Sequence, residues 1–206
     1  MAKANNISKI KKPQQQRSIE KREHILVVGL DLICKKGYYH TNTAEIAAAA
    51  GVSTGIIYRY FPNKKAILIE GIQHLMHIMM EPITQKLLTL ANDEDSYFTF
   101  STILDELLLS HRSIQNTHTA FETLAVTDSD LRETLYSIEE QVTQTLADIF
   151  TSMGKPTPHM HERLHLIYNL IEEYCHNVCF HPKNCLDYSY YKDLIIRTII
   201  TTLNQE

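Results

Sequence analysis

Residues 42–63 read NTAEIAAAAGVSTGIIYRYFPN, and this stretch predicts two short helices joined by a tight turn. Asn42 is a good helix N-cap, and Glu45 follows three residues later, the spacing of a capping box. The alanine-rich run that follows has high helix propensity and little bulk, so another helix can lie close across it. Gly51 ends this helix, Ser53 can cap the next one, and Pro62 stops that helix in turn. Two short helices about a three-residue turn are the sequence form of a helix-turn-helix.

The second short helix has one polar and one apolar face at about 100° per residue. The polar face offers a hydroxyl, a bare backbone, a phenol and a guanidinium, from Thr54, Gly55, Tyr58 and Arg59. The opposite arc consists of Ile56, Ile57, Tyr60 and Phe61. A recognition helix places polar residues from its first turns in the major groove of DNA. We therefore expect the apolar arc to pack inward and the polar face to meet DNA.

Upstream, a longer helix is predicted over residues 18–36. Its apolar positions recur at helical spacing, namely Ile25, Val28, Gly29, Leu32 and Ile33. Lys35 and Lys36 suit its last turn, and Gly37 suits its end. Residues 1–17 have no acid and almost nothing to bury, and they predict a flexible basic arm. The cations of this arm are Lys3, Lys9, Lys11, Lys12 and Arg17.

The rest of the chain also shows helical periodicity. Asn63 can cap a helix over 64–80, and Pro82 predicts a break before a helix over 82–91. A loop at 92–95 and an N-cap at Ser96 follow. Further helices are predicted over 96–111, 116–126, 129–153, 160–180 and 190–203. The fold class is therefore all-α, with a three-helix helix-turn-helix domain at 18–65 and a larger helical domain at 66–206.

Composition supports a globular protein with a divided charge. The 206 residues are 44% hydrophobic and 21% charged, and only 6 Gly and 6 Pro count against an all-β fold. Residues 1–65 hold 12 Lys and Arg against 4 Asp and Glu, whereas residues 66–206 hold 8 against 20. A basic N-terminal third followed by an acidic remainder suggests that only the N-terminal part binds a polyanion. With no signal peptide and no apolar run long enough to span a bilayer, we expect a cytoplasmic protein without a membrane partner.

Residues 21–72 resemble the DNA-binding domain of the TetR (tetracycline-repressor-like) family of bacterial regulators. The segment reads KREHILVVGLDLICKKGYYHTNTAEIAAAAGVSTGIIYRYFPNKKAILIEGI. The landmarks that carry the resemblance are Gly37-Tyr38, Thr41, Thr43, Ile46-Ala47, Gly51-Val52-Ser53 and the run from Tyr58 to Lys64. The match covers about a quarter of the chain. Beyond it, the chain agrees with the family only in size and helix content.

The resemblance implies a role for individual residues. Thr43 would bond a DNA phosphate, and Thr54 and Gly55 would approach base edges and the backbone. Tyr58 and Tyr60 would contact phosphates, as would Lys64 from the start of the fourth helix. The sequence departs from the family at two positions, because many relatives carry Lys at Thr54 and a longer polar residue at Ala44. Arg59 and the basic arm are therefore expected to carry more of the DNA readout.

The resemblance also implies a repressor that binds a palindromic operator as a homodimer and is released by a small molecule. The helices at 160–180 and 189–204 have wide apolar arcs, which fit either deep burial or a face for a partner subunit. Candidate pocket residues, which could equally be ordinary core, are Met76, Met80, Phe100, Leu104, His118, Phe121 and Tyr168. Their chemistry suits an apolar or amphipathic effector.

Two other chemistries compete with this function. Cys175, Cys179 and Cys185 lie close in sequence and offer an alternative, a metal- or thiol-responsive regulator, although their spacing matches no structural zinc pattern. No metal ligand and no cofactor are assigned on this basis. An enzyme is not expected, because a carboxylate–histidine metal centre needs paired Glu-x-x-His spacings. Glu162 and His165 have that spacing, whereas Glu172 and Glu173 are not expected to have a suitably placed histidine partner.

Overall fold

The computed structural model describes residues 14–89, 96–154 and 158–204, and all regular structure in these ranges is helical. The N-terminal helices are α1 (Gln14–Lys36), α2 (Thr43–Ala49), α3 (Thr54–Tyr60) and α4 (Lys64–Thr89). They are followed by α5 (Ser96–Ser113), α6 (Gln115–Thr127), α7 (Ser129–Ser152), α8 (Met160–Cys179) and α9 (Tyr188–Asn204). The all-α fold class is thus confirmed. The chain forms two compact units, one ending at Gly71 and one beginning at Ile72.

The first unit packs α1, α2, α3 and the start of α4 around a small apolar core. Its fully buried side chains are Ile25, Ile33, Ile46, Ile57, Phe61, Ile67 and Leu68. Gly29 on α1 lets these helices approach closely, because a Cβ there would lie 2.7 Å from Ile67 Cγ2 and 3.2 Å from Ile46 Cγ2. The apolar arc of α3 faces inward as expected, with Ile57 and Phe61 buried and Ile56 and Tyr60 half-buried.

The turns of this unit follow the local sequence. Asn42 caps α2 through both arms of the capping box with Glu45, as predicted. Gly37 and Gly51 adopt φ values of 86° and 64°, which glycine tolerates at the ends of helices. Ser53 is the N-cap residue of α3, but its side chain makes no capping hydrogen bond, so that part of the prediction is wrong.

Two predicted boundaries change. Helix α1 begins at Gln14, so Arg17, which was predicted to lie in the arm, is helical. The rest of the predicted arm, including Lys3, Lys9, Lys11 and Lys12, lies outside the described residues. The predicted break at Pro82 is also wrong, because α4 continues through it to Thr89. Proline removes one backbone hydrogen bond, but Ile83 and Leu87 in the next turn are buried, which stabilises a continued helix.

The segment after α4 is only partly described. The predicted loop at 92–95 lies outside the described residues, whereas Ser96 begins α5. Side-chain caps precede α4 and α7: Asn63 Oδ1 accepts from the Ala66 amide at 2.9 Å, and Asp128 Oδ1 accepts from the Asp130 amide at 3.0 Å. Among the described residues, no helix is both long and apolar enough to cross a membrane.

The second unit is built around α8, which packs against α5, α7 and α9. Its main core joins buried residues of these helices and of α4, including Leu104, Ile167, Cys175, Ile196 and Ile199. The wide apolar arcs of α8 and α9 are therefore filled largely within the chain. Their exposed apolar remainder consists of Leu166, Tyr190 and Leu194.

Candidate functional site

The first unit presents a compact polar surface on α3. The side chains of Thr54, Tyr58 and Arg59 are exposed, as is Gly55, whereas Ile57 behind them is fully buried. Tyr58 is 57% exposed. The Thr54 hydroxyl, the Tyr58 phenol and the Arg59 guanidinium therefore lie on one face of α3. These are groups that proteins use to contact phosphates and base edges.

A hydrogen bond joins this surface to the start of α2. Thr43 Oγ1 and Tyr58 OH lie 3.0 Å apart, and Thr43 is the first residue of α2. Helix N-termini favour anions, because their first amides lack partners within the helix. The structure thus brings together two residues that the sequence placed fifteen positions apart. We call Thr43, Thr54, Gly55, Tyr58 and Arg59 the α3 surface.

Tyr60 and Lys64 occupy a different environment. Tyr60 is half-buried, and its OH lies 3.0 Å from Ser18 Oγ on α1. Lys64 Nζ donates to the carbonyl oxygens of Tyr38 at 2.5 Å and Thr41 at 2.7 Å. It also lies 4.0 Å from the centroid of the Tyr38 ring. Burial lowers the pKa of Lys64. Two of its three N–H groups therefore hold the turn between α1 and α2, which leaves one to reach outward.

Gly55 has no packing role among the residues that the structure describes. A Cβ built there would meet only Ser53 Oγ at 3.9 Å, an ordinary contact. Its backbone angles also do not require glycine, since its φ is not positive. The core therefore does not require glycine at this position, and its effect is to leave the backbone uncovered on the α3 surface.

The second unit contains a cavity of about 140 Å³. All seven predicted pocket residues line it: Met76, Met80, Phe100, Leu104, His118, Phe121 and Tyr168. They come from α4, α5, α6 and α8. The wall is otherwise aliphatic, methionine or phenylalanine, apart from a polar group formed by His111, His118, Glu122, Tyr168 and Glu172.

Four of the polar side chains near this wall converge on one point. One ligand-type atom from each of His111, His118, Glu172 and His176 lies within 4.8 Å of every other. Glu172 Oε2 is 3.3 Å from His111 Nε2, 3.7 Å from His118 Nε2 and 3.8 Å from His176 Nε2. The Nε2 atoms of His118 and His176 are 3.5 Å apart. We call these four residues the histidine cluster.

Charge pairing shifts the protonation of the histidine cluster. Burial opposes the charged form of His118, but the nearby carboxylates of Glu122 and Glu172 outweigh it and raise the pKa of His118. Burial would likewise raise the pKa of Glu172, yet the imidazoles of His111 and His118 that face it lower that pKa. For His176, burial prevails and lowers the pKa. The cluster therefore combines imidazoles of raised and lowered pKa around a carboxylate.

Sequence reasoning missed most of this cluster. It included only His118, and its statement that Glu172 lacks histidine partners is wrong. The one local signal is the i, i+4 spacing of Glu172 and His176, which puts both on one face of α8. His111 and His118 come from other helices, so their approach depends on tertiary packing.

The cysteine alternative has no support in the structure. Cys175, Cys179 and Cys185 are free, Cys175 is buried and Cys185 is exposed. In the described ranges, the one group of three or more His, Cys, Asp or Glu side chains close enough to hold a metal ion is the histidine cluster, which contains no cysteine. Burial raises the pKa of the Cys175 thiol, which disfavours the thiolate that binds metals.

The fold of the first unit and its α3 surface define a helix-turn-helix DNA-binding domain. Residues 25–70 match the family described as bacterial regulatory proteins, tetR family. This match agrees with the sequence resemblance of residues 21–72 to the TetR family.

Relatives extend the similarity beyond this domain. An uncharacterised HTH-type transcriptional regulator of Mycobacterium tuberculosis is 26% identical over 138 residues, which cover 66% of this chain and 68% of that protein. The chain spans only 21% to 32% of the length of the first curated relatives that it matches.

Solved structures share the fold over most of the chain. The fatty acid degradation regulator FadR of Bacillus halodurans superposes with a TM-score of 0.63 and 16% identity, covering 92% of this chain and 96% of that one. FadR of Bacillus subtilis, in complex with stearoyl-CoA, gives a TM-score of 0.60 and 16% identity, covering 87% and 98%. At these identities the likeness establishes the fold.

Proposed function

We propose that this protein is a ligand-responsive transcriptional repressor, which binds a palindromic operator as a homodimer and is released by a small molecule. The observation that carries the proposal is the α3 surface, an exposed polar helix face beside a capped helix N-terminus. In this proposal Thr43 and Tyr58 bind phosphates, while Thr54, Gly55 and Arg59 approach the bases. Tyr60 and Lys64 support the α3 surface indirectly, because they hold α1 and the α1–α2 turn in place.

The proposed dimer uses the exposed parts of α8 and α9. Leu166, Tyr190 and Leu194 are exposed apolar side chains on these two helices. A homodimer formed through 160–180 and 189–204 would bury them against their copies. Two-fold symmetry would also match two half-sites one DNA turn apart, about 34–36 Å.

The cavity supports an apolar or amphipathic effector. Most of its wall is aliphatic or aromatic, and its polar side chains are few, which is the usual composition of a small-molecule site. The FadR protein that shares this fold binds stearoyl-CoA, a ligand with a long apolar chain. Helix α4 supplies Lys64 to the DNA-binding unit and Met76 and Met80 to the cavity wall. A ligand that moves Met76 and Met80 would therefore act on the helix that holds the α1–α2 turn.

Selection of bound sequences from a random duplex library, at a stated salt concentration, tests the DNA-binding part of the proposal. We expect an inverted repeat to be recovered, as a symmetric dimer requires. Enrichment of no sequence by the folded protein, with and without an apolar ligand, would contradict it.

Replacing Gly55 with alanine is expected to weaken DNA binding without weakening the fold. The added methyl group meets only Ser53 Oγ inside the chain, and alanine is the better helix former by up to about 1 kcal/mol. The methyl group would, however, project into the space that a DNA backbone or base edge needs. Thermal unfolding and a DNA titration of the same preparation check both halves. Gly29→Ala is the contrasting variant, because its Cβ would clash with Ile67 and lower stability. Unchanged DNA affinity in Gly55→Ala would exclude Gly55 from the interface.

Filling the cavity should reduce the binding of an apolar probe. Leu104 is fully buried and lines the cavity, so Leu104→Phe adds volume where a ligand would sit. We expect the dissociation constant of the fluorescent probe 1-anilinonaphthalene-8-sulfonate to rise about tenfold, which corresponds to about 1.4 kcal/mol. Leu109→Phe on the same helix is the matched control, because Leu109 is exposed. Equal probe binding by both variants would show that the probe binds elsewhere.

A further inference from the structure

We propose that the histidine cluster binds one divalent transition-metal ion of the zinc class. Its four side chains come from three helices of the second unit: His111 from α5, His118 from α6, and Glu172 and His176 from α8. His111 is buried, and the other three are half-buried. No cysteine is among its four side chains, although the Cys175 thiol contacts His111, and its test does not depend on DNA binding.

Two of the distances between the four groups are too long for hydrogen bonds but are close to those of a metal site. Glu172 Oε2 lies 3.7 Å from His118 Nε2 and 3.8 Å from His176 Nε2, beyond the 2.7–3.2 Å range of an N–H···O hydrogen bond. Zinc binds imidazole nitrogen at about 2.0–2.1 Å, so the ligands of a tetrahedral ion lie about 3.3 Å apart. The four separations given above run from 3.3 to 3.8 Å. The other two separations lie within 4.8 Å, so the side chains would move inward around a bound ion to complete the tetrahedron.

The outer nitrogen atoms of two histidines face oxygen acceptors, which suits metal binding. His111 Nδ1 lies 2.8 Å from the Leu107 carbonyl oxygen. Its Nδ1 therefore donates, and its Nε2 is left to bind. His118 Nδ1 lies 3.5 Å from Glu122 Oε2, so a carboxylate faces the outer nitrogen of this imidazole. Metal-binding histidines commonly donate their second N–H to a carbonyl or a carboxylate, which fixes the ring and raises its basicity.

The donor set defines the class of ion. Three imidazoles and one carboxylate suit zinc, cobalt, nickel or iron, whereas magnesium and calcium prefer oxygen ligands alone. The bound ion would join α5, α6 and α8 beside the cavity, since His111, His118 and Glu172 also line its wall. We therefore expect it to stabilise the second unit as well as to shape the polar end of the cavity.

The test uses the full chain after treatment with a chelator. Zinc chloride is titrated by calorimetry, and cobalt(II) chloride by visible absorption. We expect one ion per chain, a higher melting temperature with zinc, and the intense visible bands of tetrahedral cobalt. We expect no thiolate-to-cobalt charge-transfer band in the near ultraviolet, because no cysteine takes part.

Variants assign the ion to the histidine cluster. His118→Gln and His176→Gln should each weaken zinc binding about 100-fold or more, since even an outer partner is worth about 10–100-fold. Glu122→Gln, which changes a carboxylate that lies 3.5 Å from His118 Nδ1 and 3.6 Å from His176 Nε2, should weaken it about tenfold. His161→Gln is the matched control, because His161 is an exposed histidine on α8 outside the cluster. Circular dichroism without metal confirms that each variant is folded.

Several results would overturn the proposal. These are absence of zinc binding by the folded wild-type chain, the weak spectrum of octahedral cobalt, and a thiolate band. Wild-type affinity in both His118→Gln and His176→Gln would also overturn it. Should one variant fail to fold, the other variant and the wild-type cobalt spectrum still decide the matter.

Discussion

Alanine at both Tyr58 and Arg59 is expected to abolish operator binding and to leave the helix content and the oligomeric size unchanged. Both side chains are exposed on α3, and neither belongs to the buried core of the first unit. Substitution at exposed positions away from special contacts usually changes stability by less than about 0.5 kcal/mol. Within the chain, the double substitution removes the hydrogen bond between Tyr58 OH and Thr43 Oγ1, which is itself exposed.

The size of the effect follows from the interactions with DNA that these two side chains would make. A phosphate hydrogen bond and an arginine–base pairing are each worth about 1–3 kcal/mol. Removing both should lower affinity by about 100-fold or more. The measurement is a DNA titration with the operator recovered by selection, at two salt concentrations. Tyr136→Ala is the matched control, because Tyr136 is equally exposed but lies on α7 in the second unit.

Lys64 is not part of this variant, for a structural reason. Its ammonium group holds the Tyr38 and Thr41 carbonyl oxygens, so its removal would alter the α1–α2 turn as well as any phosphate contact. The Tyr58/Arg59 variant avoids that ambiguity. Wild-type DNA affinity in this folded variant would show that another surface binds DNA.

Phe61→Ala is expected to destabilise the first unit by about 3–5 kcal/mol, the usual cost of removing a buried phenylalanine ring. Phe61 is fully buried at the end of α3, and the Arg22 guanidinium lies 5.0 Å from the centroid of its ring. The ring therefore helps to hold α3 against α1. Because a domain has only about 5–15 kcal/mol of net stability, this loss should partly unfold the unit.

Urea unfolding of the full chain, followed by far-ultraviolet circular dichroism, measures this loss. We expect the transition of the first unit to move to a lower urea concentration, and DNA binding to fall with it. Val27→Ala on α1 is the control, because Val27 is exposed and should change the free energy of unfolding little. An unchanged transition in Phe61→Ala would mean that α3 is held by other contacts.

The local sequence was a good guide to the helix-turn-helix. The capping box of Asn42 and Glu45, the turn at Gly51 and the two faces of α3 depend on residues a few positions apart. Such interactions can be read from spacing alone. The prediction at Pro82 was wrong for a related reason, since the local effect of proline is to break a helix. The burial of Ile83 and Leu87, which local rules do not include, keeps α4 continuous.

Helical periodicity also located side chains that line the cavity, because it identifies which face of each helix turns inward. It could not say which inward side chains pack tightly and which border empty space. That distinction depends on the fit between neighbouring helices. For the same reason, the role of Gly29 in close helix packing and the absence of such a role for Gly55 are visible only in the structure.

The sequence by itself determined the class of fold, the DNA-binding surface proposed on α3 and the division between a basic and an acidic part. Only the tertiary structure assembled the histidine cluster. Glu172 and His176 are one helical turn apart, but His111 and His118 precede them by more than fifty residues. Caps and helix faces arise from interactions over three or four residues, whereas a cluster drawn from three helices exists only once those helices pack.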